Sequence, residues 1–319
     1  MKIVGLALLG VLSLGTGAAQ GQAAWPARPV RILVGFPPGT TGDILARIAA
    51  PRMSEHLGQP VLVENRPGAG SSIAAEAVAK SAPDGYTLLL STIANAINPS
   101  LYTLGFDFSR DLAAVALLAD VPGLLAAHPS APPSVPALIS AAKANPGRIS
   151  FASSGNGTVT HLWGEMLNAG AGIKLVHVPY KGSSQAVTDL LGGNVALLFT
   201  PASTVMPHVA AGKLAALAVI GRGRLAALPD VPTMTELGLA GFESGLWFGL
   251  NVPAGTPSAV IERLNAEVRR AFGLAEVKAQ LAAQGIDAVP GSADAFAAFI
   301  RQETDKWARV VRESGAKTD

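Results

Sequence analysis

The chain contains no cysteine. That excludes a disulfide framework, a thiolate metal site and a lipid-modified cysteine at a processed amino terminus. Charge is scarce, at 14% Asp, Glu, Lys and Arg, and neither sign dominates: 24 basic against 22 acidic residues leave a formal +2. Nucleic acid calls for a clear basic excess, so no nucleic-acid partner is expected. Aromatics make up only 5%, and no heptad, repeat or low-complexity tract stands out. Beyond the amino terminus no apolar stretch reaches membrane length without Pro, Gly or charge. There is no Walker motif, and Gly155-Asn156-Gly157 followed by Thr160 is not a complete dinucleotide fingerprint. No cofactor is expected. His161 and Glu165 share a helix face at i, i+4, but no third ligand has suitable spacing, so no metal is expected either.

What is present begins with an address. Met1-Lys2 is a minimal basic start, Ile3 to Leu14 is an apolar run, and small and polar residues follow to Ala24. The run is too short to span a bilayer and reads as a secretory signal peptide, residues 1–23, cleaved after Ala23. The mature protein is expected to be soluble, periplasmic and monomeric. Losing Lys2 with the leader takes its formal charge from +2 to +1. About 295 residues remain, enough for two ordinary cores without staples.

Strand-like and helix-like runs alternate nearly throughout. Val30 to Val34, Val61 to Val63 and Thr87 to Leu90 read as strands separated by helical faces such as Leu45, Ile48, Ala49 and Met53. Pro51 should kink the first helix. After Val121-Pro122-Gly123 the rhythm restarts, and the last quarter is mainly helical. The expected fold is α/β with two lobes, each a mainly parallel sheet flanked by helices. Lobe 1 is read as discontinuous, residues 24–122 plus 225–319, and lobe 2 as 123–224. Ligands in such folds sit outside the carboxyl ends of the strands, here in the cleft between lobes.

Two loops carry the functional reading. Phe36-Pro37-Pro38-Gly39-Thr40-Thr41-Gly42-Asp43 follows a strand and opens a helix at Asp43, which gathers backbone N–H groups and the positive end of a helix dipole. Ser153-Ser154-Gly155-Asn156-Gly157-Thr158 repeats the arrangement, with His161 on the helix behind it. Two such cradles suggest a carboxylate-binding cleft and lean towards a dicarboxylate over a monocarboxylate. Asp43 reads first as a helix cap, since a carboxylate there repels an anion unless it faces away. Tyr180 and Thr200 end strands aimed at the same cleft, and Asn95, after Thr92, is a turn former first and a ligand donor second. An exported hydrolase using Ser154 and His161 is the enzymatic alternative. Ala152 stands where a nucleophile elbow needs Gly, so no catalytic residue is assigned.

Several pieces taken together in order resemble the Bug-type substrate-binding proteins of tripartite tricarboxylate transporters. They are Val63-Glu-Asn-Arg-Pro-Gly-Ala-Gly70, Ala82-Pro-Asp-Gly-Tyr86, Ala96-Ile-Asn-Pro99, His177-Val-Pro-Tyr-Lys-Gly182, Leu228-Pro-Asp-Val-Pro-Thr233 and Val252-Pro-Ala-Gly-Thr-Pro257. The resemblance implies a two-lobed periplasmic binding protein that closes on a small carboxylate and delivers it to membrane permease subunits, with no catalysis. A sensor presenting its closed form to a receptor ectodomain is the alternative. The resemblance places one carboxylate on backbone groups and waters at Phe36 to Asp43, covering Pro38, Gly39, Thr40 and Thr41. It places the second loop at Ser154, Asn156, Gly157 and Thr158, and the remaining wall at Thr92, Tyr180 and Thr200. Where the family commonly has Gly-Gly-Gly-Thr-Asp, this chain has Gly39-Thr-Thr-Gly-Asp43. Ala196 and Thr200 replace frequent Asp residues, which favours more anionic or less amino-bearing ligands if those positions reach the cleft.

Overall fold

The computed structural model describes residues 25–316 apart from 181, 244 and 284. The expected signal peptide lies outside the described residues. In chain order the elements are β1 (Val30–Val34), α1 (Thr41–Leu57), β2 (Val61–Asn65), α2 (Ser72–Ala79), β3 (Thr87–Thr92), α3 (Ile93–Ile97), α4 (Phe108–Asp111) and β4 (Leu112–Val121). Then come β5 (Gly123–Ala127), α5 (Val135–Ala144), β6 (Ser150–Ser153), α6 (Val159–Ala171), β7 (Val176–Pro179), α7 (Ser183–Leu191), β8 (Leu197–Pro201), α8 (Ala202–Ala210) and β9 (Ala215–Ile220). The chain finishes with β10 (Leu246–Pro253), α9 (Ser258–Gly273), α10 (Ala275–Ala282), β11 (Asp287–Ala288) and α11 (Ala293–Ser314).

Two sheets result. The first has the order β11-β4-β10-β3-β1-β2 and the second β7-β6-β8-β5-β9. Each is sandwiched because its strands are apolar on both faces. In β1, Val30, Ile32 and Val34 enter one core while Leu33 enters the other. β3 repeats this, with Leu88 and Leu90 on one side and Leu89 on the other. Each fully buried aliphatic side chain contributes about 1.5–3 kcal/mol. α1 lays Leu45, Ala49 and Met53 on the first of these cores and continues through Pro51 to Gly58, whose left-handed backbone ends it.

The sheets are mixed, which corrects the expectation of mainly parallel ones. β1 runs parallel to β2 and β3, and β6 runs parallel to β7 and β8. β10 is antiparallel to β3 and β4, β11 to β4, and β5 to β8 and β9. The physical reason lies in the connections. β5 and β10 are entered directly from the other sheet, without the helical crossover that a parallel neighbour requires. The stretch 225–243, expected with the first lobe, bonds instead to the second sheet: Met234 N–H donates to Val219 O and Gly221 N–H to Phe242 O, each at 2.9 Å.

Each sheet has a core of its own on one face, and a third core is shared. One cluster takes Leu33 and Leu89 from the first sheet, Phe151 and Phe199 from the second, and Trp163, Phe296 and Trp307 from α6 and α11. α11 packs on β4, α3 and α6, so the last helix braces both sheets.

Candidate functional site

β1 lies between β2 and β3, and β6 between β7 and β8, so each is the strand from which its neighbours diverge. Crevices form at the carboxyl ends of such strands. The loops after β1 and β6 both open into one cavity of about 520 Å³ between the sheets, within the range of small-molecule sites.

The first loop is shaped by Asp43. Helix α1 starts at Thr41, two residues before the expected Asp43, and its N-cap Thr40 makes no side-chain cap. Thr40 Oγ1 donates to Pro37 O instead. The Asp43 carboxylate turns away from the cavity and accepts from Gly39 N–H at 2.9 Å, Asn65 Nδ2 at 2.9 Å and Arg47 Nε at 3.0 Å. Burial opposes its charge, but these donors outweigh it and hold the carboxyl below the ordinary range. Gly39 supplies the left-handed φ of 83° that brings its N–H round to Asp43. Among the described residues no protein acceptor faces the first N–H groups of α1, while Thr40, Thr41 and Gly42 line the cavity.

The second loop is tied more tightly. Ser154 N–H and Oγ both meet Thr160 Oγ1, at 2.9 and 2.8 Å, and Thr158 Oγ1 donates to Gly155 O at 2.7 Å. Gly157, at φ 70°, donates its N–H to His161 Nδ1 at 3.2 Å. His161 must therefore be neutral with its proton on Nε2, which points to Glu165 Oε1 at 3.8 Å. Burial lowers the His161 pKa and raises that of Glu165. Ser154, Asn156, Gly157 and Thr158 all line the cavity.

The cavity thus gathers Phe36, Thr40, Thr41, Thr92, Ser154, Asn156, Gly157 and Thr158 from the expected set. It leaves out Pro38, Gly39, Asp43, Asn95, His161, Tyr180 and Thr200. Pro38 and Gly39 are exposed. Asn95 is buried as the reciprocal cap of α3: its Oδ1 accepts from Thr92 N–H, while Thr92 Oγ1 accepts from Ala94 N–H. His161 sits behind Gly157. Tyr180 donates its hydroxyl to Asp189 Oδ2 at 2.6 Å, and burial with that acidic partner pushes its pKa to about 12. Thr200 is fully buried within β8, opposite Leu124. Ala196, just before β8, is likewise absent from the lining, so the replaced acids do not act on the cavity directly.

Sequence reasoning missed the apolar wall. Ile93, Ile97 and Leu101, Tyr102 beside them, and Leu246 and Phe248 of β10 complete the lining, with the start of α7 at Gly182 and Ser183. The i, i+4, i+8 spacing of Ile93, Ile97 and Leu101 was a usable signal; β10 offered none.

A serine–histidine pair does exist, but not the expected one. Ser153 Oγ lies 2.6 Å from His177 Nε2. Ser153 is wholly buried, so no substrate carbonyl reaches it. Ser154, the half-buried candidate at the cavity, engages threonines.

Comparison with known proteins fits this geometry. A family model described as tripartite tricarboxylate transporter family receptor, TctC, matches residues 45–316. The chain belongs to that family. Protein BugT of Bordetella pertussis is 41% identical over 318 residues, covering 98% of each chain. A solved R. palustris protein with adipate superposes at a TM-score of 0.77 with 34% identity, covering 92% of this chain and 99% of that one. MatC from Rhodopseudomonas palustris, with bound malate, superposes at 0.74 with 32% identity, covering 90% and 100%. This TctC receptor therefore has the two-lobed periplasmic-binding-protein fold, its cavity lying between the lobes.

Proposed function

We propose that this receptor captures a small mono- or dicarboxylate between its lobes, closes around it and delivers it to a tripartite tricarboxylate-type membrane permease. The observation that carries the reading is the uncapped start of α1, lining a cavity that the second loop also walls. Such a helix end favours an anion by about 0.3–1 kcal/mol when exposed and up to ~2 kcal/mol when partly buried. Micromolar affinity needs about −8 kcal/mol. Closure must therefore add second-loop contacts and desolvation, and the closed state gains population because only it completes the contact set.

The lobes are taken as residues 25–121 with 246–316, and 123–243, because the stretch after 224 bonds to the second sheet. The apolar run Ile3 to Leu14 supports export to the periplasm as a monomer. The buried Ser153 and the threonine-bound Ser154 support a binding role without catalysis. A receptor ectodomain in place of a permease needs the same closure, and pull-downs with and without ligand separate the two by the partner recovered.

Calorimetric titration of refolded, ligand-free protein against carboxylates and their amides tests the reading. Micromolar binding lost on amidation supports it. Silence across the panel from intact protein overturns it. Ser154→Ala with Thr158→Ala should weaken binding; unchanged affinity would sink the second loop's part.

A further inference from the structure

Among the described residues the charged groups beside the first loop are already engaged. No Asp, Glu, Lys or Arg among the described residues lines the cavity. Asp43 is held by Arg47, Asn65 and Gly39 on the far side of α1. A ligand ammonium would meet no carboxylate there, and desolvating it unpaired is costly.

Away from the helix starts at Thr41 and Ser183, several of the lining's polar side chains are bonded within the protein. The Asn98 amide nitrogen donates to Gly70 O at 2.8 Å and Ser72 Oγ at 2.9 Å. Thr92 Oγ1 caps α3. Ser154, Thr158 and Thr160 hydroxyls bond one another and Gly155 O.

Much of the remaining lining is carbon. Phe36, Ile93, Ile97, Leu101, Tyr102 and Phe248 line the cavity together with the second loop. Tyr102 stands 40% exposed at this wall, anchored through its backbone N–H to Asn98 O at 2.9 Å.

We infer that the ligand is a carboxylate whose body is apolar, an aromatic or medium-chain acid without amino or hydroxyl substituents, seated with its carboxylate at α1 and its body against Ile93, Ile97, Leu101, Tyr102 and Phe248. This rests on the carboxylate reading above and narrows it. The start of α7 at Gly182 and Ser183 is a second uncapped helix end on the cavity, and it accommodates the far end of a medium-chain diacid equally well.

The test is calorimetry on the refolded full mature chain with acetate, butanoate, hexanoate, phenylacetate, adipate, succinate, malate and aspartate, plus hexanamide. Affinity should climb about fourfold per added methylene along the straight-chain acids. Adding a hydroxyl (succinate to malate) or an amino group (succinate to aspartate) should lower it at least tenfold. Tyr102→Ala, at a partly exposed site, should weaken phenylacetate at least fivefold and acetate by a clearly smaller factor. A flat chain-length series, or malate or aspartate binding better than hexanoate and adipate, overturns the apolar body while leaving the carboxylate reading intact. Hexanamide binding as well as hexanoate overturns the carboxylate reading and leaves the apolar body standing. No binding by any member overturns both.

Discussion

The imidazoles of His161 and His177 lie face to face, 3.8 Å between centroids and 8° from parallel. Phe151 covers His177 at 5.0 Å, and Phe199 meets Phe151 edge-on at 5.7 Å. One ring holds Gly157 N–H and the other Ser153 Oγ, so the stack supports both ends of the second loop. Two imidazolium rings cannot share that spacing. Burial, then the neighbouring ring, pushes the His177 pKa down to about 4.

Acid should therefore loosen this loop. The folded pKa of His177, about 4, lies below its ordinary 6.5, so between those values the unfolded chain binds more protons. Stability from this group is complete above pH 6.5 and is lost as pH falls towards 4. Solvent at the ring's exposed edge reduces the effect to about 1–2 kcal/mol. His177→Gln, which can still bond Ser153, should flatten that part of a Tm-against-pH curve. An unchanged acid limb in the variant would show that the stack is not its source.

Asp120 should pull the opposite way. Burial raises its pKa from 3.8 to about 6, although Arg222 and Gly245 N–H favour its charge. Between those values the folded chain holds the extra proton. The contribution is thus favourable below pH 3.8 and is lost as pH rises through 6. Asp120→Asn keeps an acceptor for Gly245 N–H and should stabilise the protein by about 1–3 kcal/mol at pH 7.5, with little change near pH 4. Urea unfolding at both pH values checks this, and destabilisation at pH 7.5 would mean the Arg222 contact outweighs burial.

Asp43→Ala should cost both stability and ligand affinity, though the side chain does not face the cavity. It frees Gly39 N–H, Asn65 and Arg47 at once. Hydrogen bonds to a charged group contribute about 1.5–3 kcal/mol, so a loss near 3 kcal/mol is expected, with affinity down at least tenfold as the loop before α1 relaxes. Full affinity in a destabilised variant would separate Asp43 from the site.

Glu303 should matter to stability alone. Its Oε2 accepts both Trp247 Nε1, at 3.0 Å, and Trp307 Nε1, at 2.9 Å, and Lys306 pairs with the other oxygen. Glu303→Ala leaves two buried indole N–H groups without this acceptor, and a loss of about 3 kcal/mol is expected. Tryptophan fluorescence should shift while carboxylate affinity stays constant. A matching drop in affinity would instead place α11 in the closing motion.

The parts of the fold legible in the sequence are those built locally. The β1 loop and α1 were readable because Val, Ile and Leu alternate with a Pro/Gly/Thr turn behind them, and the β6 loop for the same reason. β4 and β10 were not, since β4 is rich in Ala, a helix former, and β10 is interrupted by Gly249 and Asn251, so neither offers the aliphatic run that marks β1 and β3. The site divided along the same line. Loop residues Thr40, Thr41, Asn156 and Thr158 could be named, whereas Phe248 reaches the cavity only through non-local pairing of β10 with β3. Tyr180 and Thr200 failed for a related reason: a residue at a strand end points into the crevice or into the sheet's covering layer, and pleat register decides which. Asp43 was readable as a capping group but not in its detail, because Asn65 lies 22 residues away and becomes its partner only through β1–β2 pairing.

The core that α6 and α11 stitch through both sheets has a consequence for cooperativity. Lobes with separate cores melt as two calorimetric units, and a ligand protects chiefly the one it grips. Here Phe151, Trp163 and Trp307 belong to one buried cluster with Leu33 and Leu89, so losing that cluster exposes core in both lobes at once. Heating should give one endotherm, with calorimetric and van't Hoff enthalpies equal. A ligand in the cleft should move that endotherm as a whole, so that saturation raises the protection of amides far from the cavity, along α11, as much as that of the loops beside it.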